Sequence, residues 1–122
     1  IVESNLRIDD GRRIMQQLLD APERPDAVYV AGDIAALGAL QVLLENNIQV
    51  PEEMALIGFS DETFTSLTQP SISTVNQHSD QIGKLAAEAF LERMNNPKKK
   101  TVSRIILEPE LIIRQSSNKN LK

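Results

Sequence analysis

The chain has 122 residues, a formal net charge of −4 and a sequence pI near 5.0. This acidic balance argues against nucleic-acid binding by this segment, because phosphates are gripped by basic surfaces. With 41% hydrophobic residues, 25% charged residues and no cysteine, the composition is that of a soluble globular domain without disulfide or thiolate chemistry. The apolar runs are shorter than the roughly 20 residues that span a bilayer, so we expect no membrane segment. The chain starts at Ile1 rather than Met, and we expect a piece of a longer protein.

The first half of the chain alternates helical and strand patterns. Apolar residues at helical spacing predict a helix over Asp9–Asp20. A short strand over Val28–Val30 follows a loop with two prolines. Asp33 stands where an N-cap would begin a second helix over residues 34–47, and an apolar strand is predicted over Ala55–Phe59.

The second half continues the alternation. We predict a strand over Ser71–Val75, a helix over Asp80–Met94, and final strands over Val102–Leu107 and Glu110–Arg114. The basic run Lys98–Lys100 is interpreted as a solvated turn. Strands joined by helical segments favour a doubly wound α/β fold, in which a mostly parallel sheet is covered by helices on both faces.

The second helix is apolar on nearly all sides from residue 34 to residue 44. A helix that packs on one sheet needs only one apolar stripe, so two surfaces should cover this one. One alternative is a position between two neighbours of the same chain. The other, which we favour, is a subunit interface.

Polar residues follow three predicted strands, at the places where an α/β protein binds its ligand. These places are Gly32–Asp33, Ser60–Asp61 and residues 76–78, and their side chains can converge on a small polar molecule. Each place also has a structural interpretation: Asp33 as an N-cap, Asp61 and its acidic neighbour as loop solvation, and His78 as a boundary residue.

Enzymatic and metal functions have little support. Ser60, Asp61 and His78 contain the residue types of a hydrolase triad, but Phe59 and Asp61 flank the serine where a nucleophile elbow needs glycines. The single histidine, the lack of cysteine and the scattered glycines indicate neither a metal site nor a phosphate loop. We therefore expect no enzyme activity, metal or cofactor.

Four stretches together resemble the lactose-repressor (LacI/GalR) family of transcription regulators. They are "PDAVYVAGDIAALGAL", "VPEEMALIGFSDE", "PSISTVNQ" and "ELIIRQSS", in the order and spacing of the family's effector domain. The resemblance implies the C-terminal half of a periplasmic-binding-protein-like domain with two lobes. A small-molecule effector binds between the lobes and alters the operator affinity of an N-terminal helix-turn-helix domain, which lies outside this chain.

The resemblance also implies a division of the chain. Residues 1–76 would form most of the C-terminal lobe, residues 77–109 would belong to the N-terminal lobe, and residues 110–122 would return to the C-terminal lobe. Gln77 and His78 would be a hinge between the lobes. The family places its dimer contact on the second helix, which implies an interface at Ile34, Leu37 and Leu40.

The family's effector contacts correspond to Gly32, Ser60 and Gln77, and the adjacent Asp33 and Asp61 complete our candidate ligand site. Only Gln77 keeps the usual residue type, since an asparagine is usual at Gly32 and an aspartate at Ser60. The effector in the family is a sugar or related metabolite, but a sugar held in the usual manner does not fit these residues. A different ligand, or weaker hydrogen bonding at this lobe, fits better. We expect a cytoplasmic homodimer; the alternative is a periplasmic sugar-binding protein of a transport system.

Overall fold

The computed structural model describes residues 1–96 and 104–120. It contains three helices, four short strands and two 3-10 turns in these residues. They are α1 (Ile8–Leu19), β1 (Ala27–Tyr29), α2 (Asp33–Glu45), β2 (Ala55–Ile57), a 3-10 turn (Thr63–Ser66), β3 (Thr74–Asn76), α3 (Ser79–Asn95), β4 (Glu110–Ile112) and a second 3-10 turn (Gln115–Ser117). The order of elements predicted from the sequence is confirmed apart from one strand.

That strand, predicted over Val102–Leu107, is wrong for the residues that the structure describes. Residues 104–107 are irregular, and Ile105 and Ile106 are 57% and 70% exposed. An apolar run becomes a strand only when a neighbouring strand accepts its backbone hydrogen bonds, and this stretch has none in the described chain. The rest of the predicted strand and the basic run Lys98–Lys100 lie outside the described residues.

The four strands form two pairs, β1 with β2 and β3 with β4. β1 pairs with β2 in parallel. An isolated parallel bridge between Ile57, the last residue of β2, and Ser73, just before β3, joins the two pairs. β4 pairs with β3 antiparallel, with Thr74 opposite Ile112. The predicted α/β fold is confirmed, and the antiparallel strand is the one that returns at the end of the chain.

The core lies where α2 packs on the sheet. Leu40 and Leu43 of α2 are 2% and 0% exposed, and they belong to one cluster with Leu56 of β2, Met54 and Ile72. A core made of aliphatic and methionine side chains agrees with the low aromatic content of the sequence. The first turn of α2 lies beside the residues after β2, where the Asp33 backbone donates to the Phe59 carbonyl at 3.0 Å.

Helix α1 covers a second side of α2 at very short range. A Cβ at Gly11 would overlap the carbonyl oxygen of Ala35, and one at Gly38 would overlap the carbonyl of Ile8. These glycines let the two backbones touch. The all-round apolar character of α2 is therefore explained in large part by two neighbours in its own chain.

An ion pair also joins these helices. Arg12 of α1 donates to both carboxylate oxygens of Glu45 in α2, at 3.0 and 2.7 Å. The hydrogen bond from this guanidinium lowers the pKa of the Glu45 carboxyl from its ordinary value. Since both side chains are exposed, the pair adds little to the stability of the fold.

The "RQSS" ending is tied to the middle of the sheet by a buried serine. Ser116 accepts a hydrogen bond from the backbone of Ser73 at 2.8 Å and donates one to the carbonyl of Leu56 at 2.6 Å. Its hydroxyl thus connects the backbone of β2 with the backbone just before β3. Across residues 1–96 and 104–120, no helix is long and apolar enough to cross a membrane.

Candidate functional site

A polar cavity of about 370 Å³ opens at the carboxyl ends of β2 and β3. This is the edge of the sheet where the sequence predicted a ligand site. Hydroxyl, carboxylate, amide and imidazole groups line it, from Ser60, Asp61, Glu62, Thr63, Asn76, His78, Ser79, Asp80 and Gln81. The cavity can therefore offer both donors and acceptors to a small polar molecule.

Asp33 lies behind this cavity as a buried cross-link. Its side chain is 1% exposed, and its two oxygens accept hydrogen bonds from the Thr74 hydroxyl and the Glu62 backbone, each at 2.8 Å. The N-cap prediction for Asp33 is wrong, because the N-cap of α2 is Gly32 and no side chain caps the helix. The carboxylate instead satisfies groups of the loop after β2 and of β3, which a sequence pattern could not show.

Gly58 makes this cross-link possible. A Cβ at Gly58 would overlap the Oδ1 atom of Asp33. The glycine in "IGFSD" therefore serves the approach of a buried carboxylate. This gives a packing reason for a glycine at this position of the stretch.

The loop after β2 turns sharply at Ser60 and Asp61. Both residues have positive φ angles, 123° and 53°, which are uncommon for residues other than glycine. The Ser60 backbone donates to the carbonyl of Val75 at 3.0 Å, and the Asp61 backbone donates to the Thr74 hydroxyl at 3.2 Å. The loop is thus held to β3, and the turn places Ser60 in the cavity wall.

Arg114, which we did not select from the sequence, holds the Asp61 carboxylate. Its guanidinium donates to Asp61 Oδ1 at 2.8 Å, to the Thr65 hydroxyl at 2.9 Å and to the Ile72 carbonyl at 3.0 Å. The side chains of Arg114 and Asp61 are only 19% and 22% exposed. The only sequence signal for this role was the position of the arginine in "ELIIRQSS", one residue before the second 3-10 turn.

The residues after β3 continue this polar network. Asn76 donates to Asp61 Oδ2 at 3.1 Å and accepts a hydrogen bond from the backbone of His78 at 2.7 Å. His78 adopts a left-handed conformation, with φ of 57°, and α3 begins directly after it. The predicted hinge residues thus connect the cavity to α3.

The other candidate ligand residues have different positions. Ser60, Asp61 and His78 line the cavity, whereas Gly32, Asp33 and Gln77 are not among its described lining residues. Gly32 and Gln77 are half-buried. Their contact with a ligand stays a prediction.

The described residues that line the cavity do not bring a hydroxyl into hydrogen-bond contact with the His78 imidazole. Among the described residues, no side chain hydrogen-bonds the Ser60 hydroxyl, so the serine–histidine contact of a hydrolase is not formed. The arrangement can recognise and hold a ligand by hydrogen bonds.

Comparison with protein families matches residues 2–117 to the family described as "Periplasmic binding protein-like domain". The chain belongs to this family. The match includes the cavity, the residues after β3 and Arg114.

Two curated relatives are transcriptional repressors. The chain is 36% identical to the HTH-type transcriptional repressor PurR of Escherichia coli, over 95% of this chain and 34% of the relative. It is 33% identical to the ribose operon repressor of Haemophilus influenzae, over 95% of this chain and 35% of the relative. The chain thus spans about a third of the length of these relatives.

A solved structure agrees with these relatives. A LacI-family transcriptional regulator from Enterococcus faecalis, with bound ribose, superposes with a TM-score of 0.86 at 25% identity, covering 95% of this chain and 42% of the other. The resemblance to the lactose-repressor family that the motifs indicated is confirmed.

Proposed function

We propose that this chain is the effector-sensing part of a LacI-family, DNA-binding transcription regulator. The observation that carries the proposal is the polar cavity around Ser60, beyond the carboxyl ends of the strands, where α/β proteins bind small molecules. Operator binding would belong to a helix-turn-helix domain outside this chain, and the protein would act in the cytoplasm without enzyme activity. The repressor relatives favour this function over that of a periplasmic transport receptor.

The cavity favours an uncharged ligand that is rich in hydroxyl groups. Glu62 and Asp80 line it with carboxylates, beside Asp61, whose charge is paired with Arg114, and His78 is the one imidazole among its lining residues. Carboxylates accept hydrogen bonds from hydroxyls and repel anions, so a sugar or related polyol fits this lining better than a phosphorylated metabolite does. The ribose bound in the Enterococcus relative belongs to the same chemical class.

Within the cavity, Ser60 is the residue that we assign to direct ligand contact. No described side chain hydrogen-bonds its hydroxyl. The Asp33 oxygens, in contrast, accept hydrogen bonds from Thr74 and Glu62, and the Asp61 oxygens accept them from Asn76 and Arg114. Asp33 and Asp61 therefore act by shaping the loop. Gly32 and Gln77 stay assigned to the ligand through the family resemblance.

The division into lobes is supported by the surface of α3. No residue of α3 is buried, and its Ile82, Leu85 and Ala89 line an apolar groove of about 340 Å³ with Ile105 and Leu107. Contiguous apolar surface of this kind usually marks a site that packs against another part of a protein. We assign residues 77–109 to the N-terminal lobe, whose remainder lies outside this chain and would cover the groove, and residues 1–76 and 110–122 to the C-terminal lobe.

The homodimer that the resemblance implies would use the first turn of α2. Ile34 is 52% exposed and Leu37 is half-buried, so both can contact a partner. Leu40 is 2% exposed and packs in the core. This corrects its inclusion in the interface, because its side chain is already covered by its own chain.

The first experiment uses the full-length regulator. Binding of a panel of neutral and phosphorylated sugars would be measured by calorimetry, together with operator affinity with and without each sugar. We expect a neutral sugar to bind and to change operator affinity. If no sugar of either kind binds, the proposed function is wrong, and binding of phosphorylated sugars alone would contradict the ligand class.

A Ser60→Leu variant tests the assigned contact. Removing the hydroxyl and filling part of the cavity should weaken binding of the neutral sugar by at least about tenfold, which corresponds to roughly 1.4 kcal/mol. Ser66→Leu is the matched control, since Ser66 is exposed and does not line the cavity. Equal affinities of the two variants would remove Ser60 from the site.

A further inference from the structure

The Arg114 guanidinium connects three separate segments of the chain. It donates to Asp61 in the cavity loop, to Thr65 in the first 3-10 turn and to the carbonyl of Ile72 before β3. The planar fork of a guanidinium can serve three acceptors in fixed directions, which a lysine ammonium cannot reproduce. Arg114 is therefore suited to fixing the relative positions of these segments.

The backbone of Arg114 is itself held in place. Its N–H donates to the Ser73 hydroxyl at 2.7 Å, and the same hydroxyl donates to its carbonyl at 3.1 Å. The guanidinium thus reaches toward the cavity from an anchored position. This distinguishes it from a surface arginine such as Arg13, whose side chain is 53% exposed and lies 3.4 Å from its partner, Asp10.

The cavity loop needs such an external constraint. Ser60 and Asp61 both have positive φ, and a non-glycine residue keeps this conformation only when surrounding contacts impose it. The contacts on the Asp61 carboxylate come from Arg114 on one oxygen and Asn76 on the other. Without the guanidinium, the Asp61 carboxylate would lose its charged partner, and the loop would lose one of its charge-assisted side-chain contacts.

The same carboxylate links the loop to the start of α3. Asn76 bridges Asp61 and the backbone of His78, so Arg114, Asp61, Asn76 and His78 form one continuous path. A change at Arg114 should therefore move both Ser60 and the segment before α3. Arg114 does not line the described cavity, and its effect on a ligand would be indirect.

We propose that Arg114, acting through Asp61, is a positioning residue that sets the place of Ser60 and thereby the ligand affinity of the cavity. This inference rests on the proposed function for its ligand but not for its geometry. It assigns Asp61 to the support of the loop, since both of its oxygens are occupied.

The test compares Arg114→Met and Arg114→Lys with the control Arg13→Met in the full-length protein. Hydrogen exchange of peptides covering residues 59–64 and 76–79 is measured by mass spectrometry without ligand. Ribose and cellobiose are the calorimetric probes. We expect exchange in both peptides to accelerate by about tenfold or more in both Arg114 variants, because neither side chain reproduces the fork. Arg13→Met should behave as the wild type.

Ribose or cellobiose affinity should fall by about tenfold in Arg114→Met, and adding Asp61→Ala should lower it little further, because both substitutions break the same contact. Unchanged exchange in these peptides would overturn the proposal, whether or not a sugar binds. Affinity equal to the wild type with a lowered unfolding midpoint would also overturn it, by showing that Arg114 only stabilises the fold. Failure of the wild-type protein to bind any sugar would count against the proposed function alone, since the exchange measurement needs no ligand.

Discussion

Replacing Asp33 by asparagine tests the buried cross-link behind the cavity. The carboxylate accepts two hydrogen bonds at 2.8 Å, from the Thr74 hydroxyl and the Glu62 backbone. An asparagine of the same shape offers one acceptor oxygen and one donor group, so it can satisfy only one of these two donors. The other donor is left unsatisfied or must turn away in a site that is 1% exposed.

The magnitude follows from this count of hydrogen bonds. A buried polar group left without its partner costs about 1–3 kcal/mol, and Asp33→Asn should reduce the free energy of unfolding by about that amount. The part of the loop around Glu62 should also become more mobile. The Glu62 backbone N–H and the Thr74 hydroxyl would both need the single amide oxygen of the asparagine. Urea unfolding followed by circular dichroism gives the change in free energy.

The matched control for this substitution is Asp26→Asn. Asp26 is an exposed aspartate of the same size, and loss of its charge should change the unfolding free energy by less than about 0.5 kcal/mol. If Asp33→Asn is as stable as Asp26→Asn, the two hydrogen bonds make no net contribution to the free energy of unfolding. The account of Asp33 as a cross-link would then be refuted.

Two further predictions concern the faces of α2. Gly38→Ala should destabilise the chain by about 1–3 kcal/mol, because its Cβ would overlap the Ile8 carbonyl, whereas Gly83→Ala in α3, with open space around it, should stabilise it by about 0.5–1 kcal/mol. If urea unfolding shows that both substitutions change the free energy of unfolding in the same direction, the close packing of α1 on α2 is contradicted. Ile34→Glu should weaken the proposed homodimer of the full-length protein in sedimentation, whereas Leu67→Glu, at a leucine that is 79% exposed outside α2, should not. A dimer of unchanged strength in Ile34→Glu would remove the first turn of α2 from the interface.

The helices could be predicted from the sequence because their periodicity is local. The predicted helix over Asp80–Met94 lies within one residue of the observed Ser79–Asn95, and the first helix differs by as little. Strand ends were less well placed. The strand predicted over Ala55–Phe59 ends at Ile57, because the chain turns at Ser60 to meet β3. Pairing partners decide where a strand stops, and these partners are distant in sequence.

The position of the candidate site was also visible in the sequence, but its internal connections were not. Polar residues after apolar strands indicate a ligand site, which located Ser60 and Asp61 at the cavity. The contacts that hold this loop come from distant positions: Asp33 binds the Glu62 backbone across 29 positions and Arg114 binds Asp61 across 53, and no local pattern could connect them.

The sequence by itself determined the α/β class, the order of the elements apart from one strand, and the family, because these depend on periodicity and on motifs that are contiguous in the chain. Only the tertiary structure decided that Asp33 braces a loop, that Leu40 is a core residue and that Arg114 holds Asp61. The physical reason is that hydrogen bonds and burial are satisfied in space. A carboxylate takes whichever donors the folded chain brings within reach, and the sequence records the group but not its partner.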